Sequence, residues 1–519
     1  MAEDAGSHYD MIIVGAGSAG CVLADRLTRN GRRKVLLVEA GPRDTSPFLH
    51  MPRGFGRTLA DPRLTWYYPT EPDTHHDEAR SHVWLRGKTL GGSSAVNGMI
   101  YVRGQPEDYD GWGAGGATGW NAPIMARAFR AVEEELQIEI PQRRTILTDA
   151  IIRAAGAAGL PERHDPVGVD GFGIGPTPAT ISHGRRRSAA TAFLRPAERR
   201  PNLDVMTDAK VDRVAMDGLR ATGIVVDGKI IGAGSVILCA GAIESPALLQ
   251  RSGIGPAAIL RAAGVPIAHD LPGVGGNLRE HKLIMTQFEL NRRIDDNREF
   301  SGWRLLRNAL HYGLTRGGPL SRTYDLNAFA RSGLSTRRPD IQITFSSFSL
   351  DLAAGKLAFD RAPGMQMFAY PLKPTSEGRI DIASPDPAAP PKIRPNYLAT
   401  DYDRRVTIDA VRLMRKIAAA APLDELVVRE TWPGPIMGDD DQSIIAAAHR
   451  DQSCAHAIGT CKMGTDDLAV VDPRLRVRGI EALRVVDCSI MPTQVSGNTN
   501  APAMAVAWRA ADLISEDLA

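Results

Sequence analysis

Short apolar runs, one of them followed by helical periodicity, organise this chain. Tyr9 to Val14 (YDMIIV) is apolar and leads directly into Gly15-Ala16-Gly17-Ser18-Ala19-Gly20. A helical pattern follows, with Val22, Leu23, Ala24 and Leu27 apolar and Asp25, Arg26 and Arg29 polar, until Asn30-Gly31 ends it. A second apolar run, Val35 to Val38, ends in Glu39. Strand, glycine turn, helix, strand and acid in this order predict a nucleotide-binding βαβ unit. Gly15 permits the tight turn, Gly17 lets the backbone approach a pyrophosphate, and Gly20 lets helix and strand pack closely. Glu39 falls about 20 residues further on, where a carboxylate can accept the ribose hydroxyls and disfavours a 2′-phosphate. The unit by itself fits FAD and NAD equally.

Three later runs have the same character: Leu203 to Thr207 leading to Lys210-Val211, Ser235 to Ala240 before a helix over Ser245 to Gln250, and Leu483 to Val486 ending in Asp487. Each puts a turn at a strand's carboxyl end, where ligands of open α/β sheets bind. One sheet thus draws on residues near 10, 240 and 485, and the cofactor domain is discontinuous. The middle of the chain alternates instead. Asp340 to Phe345 and Gly378 to Ala383 have period two, which predicts strands with one face buried and the other solvated or lining a cavity. Tyr402 to Ala420 reads as a long amphipathic helix, and Pro385 to Pro395 as a proline-rich loop. Between the first unit and these runs lies Arg86 to Gly104 (RGKTLGGSSAVNGMIYVRG), where Gly91-Gly92-Ser93-Ser94 offers free backbone amides and Asn97-Gly98-Met99-Ile100 continues as a strand-like run.

Composition narrows the class without changing the fold reading. The 519 residues hold 62 Lys+Arg against 60 Asp+Glu, a formal charge of +2, with 43% hydrophobic and 24% charged residues. That describes a globular chain, too long for one core. Its charge balance argues against nucleic acid as a partner. Five scattered cysteines, with no zinc spacing, indicate neither a disulfide framework nor a metal. The acidic start lacks a signal peptide's basic and apolar segments, and no apolar run approaches the ~20 residues that cross a bilayer. A cytoplasmic protein without membrane insertion is expected. His75 and His76 read as loop residues, and Arg185-Arg186-Arg187 as a solvated turn.

Six motifs occur in order: GAGSAG with Glu39, the Arg86–Gly104 stretch, GAIESPALLQRSGIG (Gly241 to Gly255), LPGVGGNL (Leu271 to Leu278), HAIGTCKMG (His456 to Gly464) and DCSIMPTQVSGNTN (Asp487 to Asn500). Together they resemble the glucose-methanol-choline (GMC) family of FAD-dependent oxidoreductases, nearest to its bacterial alcohol and choline dehydrogenase branch. The resemblance implies an α/β protein: a discontinuous Rossmann-like FAD-binding domain (residues 1–104, 186–284 and 451–519) plus an α+β substrate domain with a mainly antiparallel sheet (105–185 and 285–450). It implies that Gly15, Gly17, Ser18, Ala19, Gly20 and Glu39 hold the ADP half of FAD. Gly92 belongs to the phosphate and ring-edge turn, and Asn97, Gly98, Met99 and Ile100 lie along the flavin. Val211 meets the adenine, Asp487 sits near the ribityl-phosphate region, and Trp66 lines the cofactor. Val96 stands where some relatives attach FAD through a histidine, so a non-covalent flavin is expected.

The resemblance also marks His456 as the catalytic histidine and Asn498, beside the flavin, as the second catalytic position. Alcohol oxidation takes a proton from a hydroxyl and a hydride from its carbon, and an imidazole is a base of suitable type. Asn498 can donate to the forming alkoxide but cannot act as a base, which leaves the proton to His456. Cys454-Ala455 precedes His456 where many relatives have a bulky residue, a hint of a wider pocket. The expected reaction is oxidation of a small-molecule alcohol to an aldehyde or ketone, with hydride transfer to flavin N5. Oxygen or a quinone-type or artificial acceptor then takes the electrons. A hydroxynitrile lyase using the same histidine is the alternative. A flavoprotein kept for binding or light chemistry is disfavoured by the intact histidine motif.

Overall fold

The computed structural model describes residues 8–518 apart from 74–78, 142, 166–170, 355–357 and 435–436. His75 and His76 therefore lie outside the described residues. Val35–Val38 is buried along its whole length, as suits a parallel strand covered on both faces. It pairs in parallel with Tyr9–Val14 on one side and Leu203–Met206 on the other. Tyr9–Val14 pairs in turn with Lys229–Leu238, which also receives Leu483–Val485. These strands end at one edge of the sheet, so the turns at Gly15, Glu39, Cys239 and Asp487 gather there.

Lys229–Leu238 begins six residues before the run seen in the sequence, because its first half belongs to a hairpin. It pairs antiparallel with Arg220–Val226, which pairs with Val211–Asp217. The turn is Asp227-Gly228, both residues at positive φ, the pairing that a two-residue hairpin turn selects. The helix that follows runs over Gly241–Arg251 and so starts earlier than Ser245. Asp487, from the other end of the chain, accepts hydrogen bonds from the Gly241 amide at 2.8 Å and the Ser245 hydroxyl at 2.6 Å. A cap supplied from that distance leaves no local signal.

The second sheet has six strands, all antiparallel, in the order Val427–Trp432, Ile284–Leu290, Gly364–Pro371, Ile341–Ser346, Leu326–Ala330 and Gly173–Pro176. The helix Asp401–Ala418 packs against it with Val406, Val411 and Met414 buried. Ile341–Ser346 is buried on both faces; its polar members Gln342 and Thr344 bond Asn498 and Asn327 rather than water. The alternation from Gly378 shrinks to Arg379–Asp381, paired with Lys392–Arg394 in a separate ribbon that takes up part of the expected loop.

Two further expectations about the course of the chain fail. Asn97 to Ile100 forms no strand: Met99 has φ +64°, and Ile100 makes only an isolated bridge to Ala179. Residues 105–185 also do not all join the second core. The helix Ala122–Leu136 buries Met125, Phe129, Val132 and Leu136 in the first core and packs against the terminal helix Asn500–Asp517.

Gly20 is fixed by packing. A Cβ there would lie 1.9 Å from the Gly15 carbonyl oxygen. Gly20→Ala is expected to cost more than about 3 kcal/mol, since rigid backbone must move. Thermal melting checks this; a midpoint equal to wild type would contradict it.

Candidate active site

A cavity of about 890 Å³ opens along the edge where the parallel strands end. Gly15, Gly17, Ser18, Ala19, Glu39, Trp66, Gly92, Asn97, Gly98, Met99, Ile100, Val211, His456, Asp487 and Asn498 all line it. Gly20 does not; it lies behind the turn, where its role is packing.

At the glycine end, two loops distant in sequence touch through their backbones. Gly91 N–H donates to the Ala16 carbonyl at 2.7 Å, and a Cβ on Gly92 would come within 2.7 Å of Gly17 Cα. Gly92 also has φ +51°. Gly17 is the opposite case: no protein atom lies within 4 Å of a Cβ placed there. It precedes the helix Ser18–Thr28, whose N-terminus has no side-chain cap, so the first-turn amides remain available to an anion. The buried Glu39 carboxylate accepts from Ala16 N–H at 3.0 Å and Gly41 N–H at 2.9 Å. Burial outweighs these bonds and pushes its pKa up to about 7. Glu39 thus braces the glycine turn as well as facing the cavity. The Trp66 ring lies 4.3 Å from the Lys88 ammonium and 5.1 Å from that of Lys210.

The flavin-side residues are anchored from behind. Asn97 Oδ1 accepts from Met99 N–H at 3.1 Å and from Arg186 Nη1 at 2.6 Å. Arg186 is therefore not part of a solvated turn; it is 2% exposed, and burial pushes its guanidinium pKa down to about 9. Gly98 passes under Tyr324, whose ring would meet a Cβ at 2.7 Å. The Met99 amide, at φ +64° and bonded to the Asn97 side chain, is unavailable for strand pairing.

At the far end His456 stands within a hydrogen-bonded chain. Its Nε2 is 3.0 Å from Asn498 Nδ2, and its Nδ1 is 2.9 Å from His281 Nδ1. His281 Nε2 lies 3.0 Å from the Leu372 carbonyl, which can only accept, so that nitrogen carries the proton. His281 Nδ1 is then the acceptor, and His456 Nδ1 must donate to it. His456 Nε2 is left with a lone pair. The opposite end agrees: Asn498 Oδ1 accepts from Gln342 Nε2 at 3.1 Å, which turns the Asn498 amide nitrogen towards His456. Burial first, then the neighbouring His281 and Arg86, holds the His456 pKa well below 6.5 and favours the neutral ring.

Glu280 and His281 were not singled out from the sequence, where the LPGVGGNL motif stops two residues short of them. The buried Glu280 carboxylate accepts from the backbone N–H of both histidines, His281 at 2.9 Å and His456 at 2.7 Å. Arg86 Nη2 approaches its other oxygen at 3.4 Å. The run Arg279-Glu280-His281-Lys282, entering an apolar strand, was the available signal. Tyr370 also escaped notice; its ring stacks on His281 at 4.6 Å. Cys454 and Ala455 line the cavity as expected of small residues there, and Ala455 has φ +63°.

A dinucleotide cradle sharing one cavity with a neutral histidine is the arrangement of a cofactor-dependent oxidoreductase. Two family models described as GMC oxidoreductase match residues 9–283 and 374–507. The chain is 38% identical to an alcohol dehydrogenase [acceptor] from Pseudomonas putida, covering 98% of this chain and 95% of that protein. It is 39% identical to an oxygen-dependent choline dehydrogenase from Vibrio vulnificus, covering 98% and 94%. Among solved structures, pyridoxine 4-oxidase from Mesorbium loti superposes with a TM-score of 0.86 at 30% identity, covering 98% of this chain and 99% of that one. The chain belongs to the GMC oxidoreductase family.

The open space at Gly17 and the uncapped amides beside it fit FAD, the cofactor that the family implies. Gly17→Val should fold, because no protein atom lies within 4 Å of the added Cβ, yet lose FAD, because the side chain takes the cofactor's space. Purified variant is expected to show no flavin absorbance and to melt with cofactor-stripped wild type. A yellow variant would contradict the placement.

Proposed function

We propose that this protein oxidises a small-molecule alcohol to an aldehyde or ketone, with His456 as general base. The carrying observation is the His456 Nε2 lone pair, held beside a donor amide at the end of a dinucleotide cavity. Gly15, Gly17, Ser18, Ala19, Glu39 and Gly92 hold the ADP and pyrophosphate part of FAD. Asn97 to Ile100 lie along the ring, with Val211, Trp66 and Asp487 completing the walls. Val96 offers no atom for a covalent attachment, so FAD is bound non-covalently. When bound, FAD supplies the ring that takes up the hydride.

The rest follows from the side chains. An incoming alcohol O–H takes the place of the Asn498 N–H at Nε2, and the freed Asn498 amide donates to the alcohol oxygen. Proton transfer makes His456 an imidazolium, and its Nδ1–H bond to His281 becomes charge-assisted and stronger. Asn498 stabilises the charge that develops on oxygen, and the carbon then gives up its hydride as the C=O bond forms. Electrons leave to oxygen or to a quinone-type or artificial acceptor. Among the described residues no helix is long and apolar enough to cross a membrane, and we place the enzyme in the cytoplasm. The relatives named above are oxidases and dehydrogenases, and no observation favours the lyase.

Replacing His456 by Ala should leave FAD bound and slow anaerobic flavin reduction by ~10²–10⁴-fold, the usual contribution of a general base. Stopped-flow absorbance would measure it, and an unchanged rate would defeat the assignment. The pH profile gives a second test. The base works only when neutral, so kcat/KM falls as pH drops through its pKa. Because burial depresses that pKa, the fall should come below 6.5; an acid limb centred above 6.5 would count against a buried neutral base.

A further inference from the structure

The helix Gly302–Thr315 is built inside out. Of its 14 residues only Asn308 and Tyr312 have buried side chains. Both are held by polar contacts: Asn308 Nδ2 donates to the Glu299 carbonyl at 2.9 Å, and the Tyr312 hydroxyl to the Gly184 carbonyl at 3.0 Å. The apolar side chains face outwards, with Trp303 67%, Leu306 73%, Leu310 66% and Leu314 78% exposed. Steps of three and four residues align these four as one stripe. Arg304 and Arg307 lie one position further along and put two cations beside it, with His311 continuing the polar row. The helix carries no acidic residue. Arg304 and Arg307 share the single carboxylate of Glu299, at 3.0 and 2.9 Å, and the exposed Arg298 and Arg316 add to the surplus.

We propose that this helix docks the protein on an anionic lipid surface. A Trp- and Leu-rich stripe bordered by arginines is the composition that lies in a membrane interface, with apolar side chains among the acyl chains and cations at the headgroups. At about 1.5 Å per residue the helix is too short to span the ~30 Å hydrocarbon core, so it lies on the bilayer rather than in it. A second copy of the chain fits less well. A stripe four side chains long on one helix falls short of the ~800 Å² per partner of a stable interface, and an antiparallel two-fold pairing would bring the arginine rows of both copies together. From the helix the chain runs through Pro319–Ser321 to Tyr324, whose ring lies 6.4 Å from that of Phe55 in the cavity wall.

The test is sedimentation of the flavin-loaded protein with vesicles of phosphatidylcholine alone and of an equimolar mixture with phosphatidylglycerol. The protein is expected to pellet with the mixed vesicles, roughly tenfold less with the neutral ones, and less again as salt is raised. The double variant Leu306→Glu, Leu310→Glu should lose vesicle binding by about the same factor while keeping its flavin content and thermal midpoint. Protein that stays in the supernatant with both vesicles would overturn the proposal. So would pelleting that the double variant leaves unchanged, or a concentration-dependent dimer, seen by sedimentation velocity, that the double variant abolishes; that last result would assign the stripe to a second copy.

Discussion

Two ring nitrogens 2.9 Å apart can share one proton but not hold one each, and this constraint at the His281–His456 contact sets the chemistry of the site. The Leu372 carbonyl fixes the outer end of the chain, since it has no proton to give. With that end decided, each remaining proton has one place, and the lone pair arrives at His456 Nε2. Glu280 makes the arrangement rigid by accepting from the backbone of both histidines, so that two segments far apart in sequence keep their separation. A base that is oriented and already neutral needs only to exchange its Asn498 N–H for the alcohol O–H, with no proton to lose first.

The same economy governs the cofactor end. Glycine is used there for two different reasons. Gly20 and Gly92 are small because backbone lies against them, and their loss would spoil the fold. Gly17 is small although the protein leaves it open space, which makes sense only if something else occupies that space. The parallel strands bring both ends together, because their carboxyl termini share one edge and the antiparallel sheet supplies the opposite wall.

The local part of this structure was legible in the sequence. The βαβ unit, the long helix after Thr400 and the strands near 205, 236 and 484 follow from periodicity and apolar runs, and most of the residues expected at the cofactor line one cavity. What escaped reading depends on contacts over long sequence separations. The start of the helix at Gly241 is decided by Asp487, and the burial of Arg186 by Asn97 and Ser94. Helix Ala122–Leu136 is amphipathic wherever it packs, and its pattern does not say which of two cores receives it. His281 is a lone histidine among charged neighbours; only the fold places its ring against His456.

The central claim is that an alcohol gives a proton to His456 and a hydride to the flavin. The most direct measurement is the visible spectrum of the purified protein under nitrogen, before and after addition of a panel of alcohols. The account predicts flavin absorbance near ~450 nm that bleaches on adding an alcohol and returns with oxygen or an added acceptor. A yellow protein that no alcohol bleaches would contradict alcohol oxidation, and a colourless one would contradict the cofactor site itself.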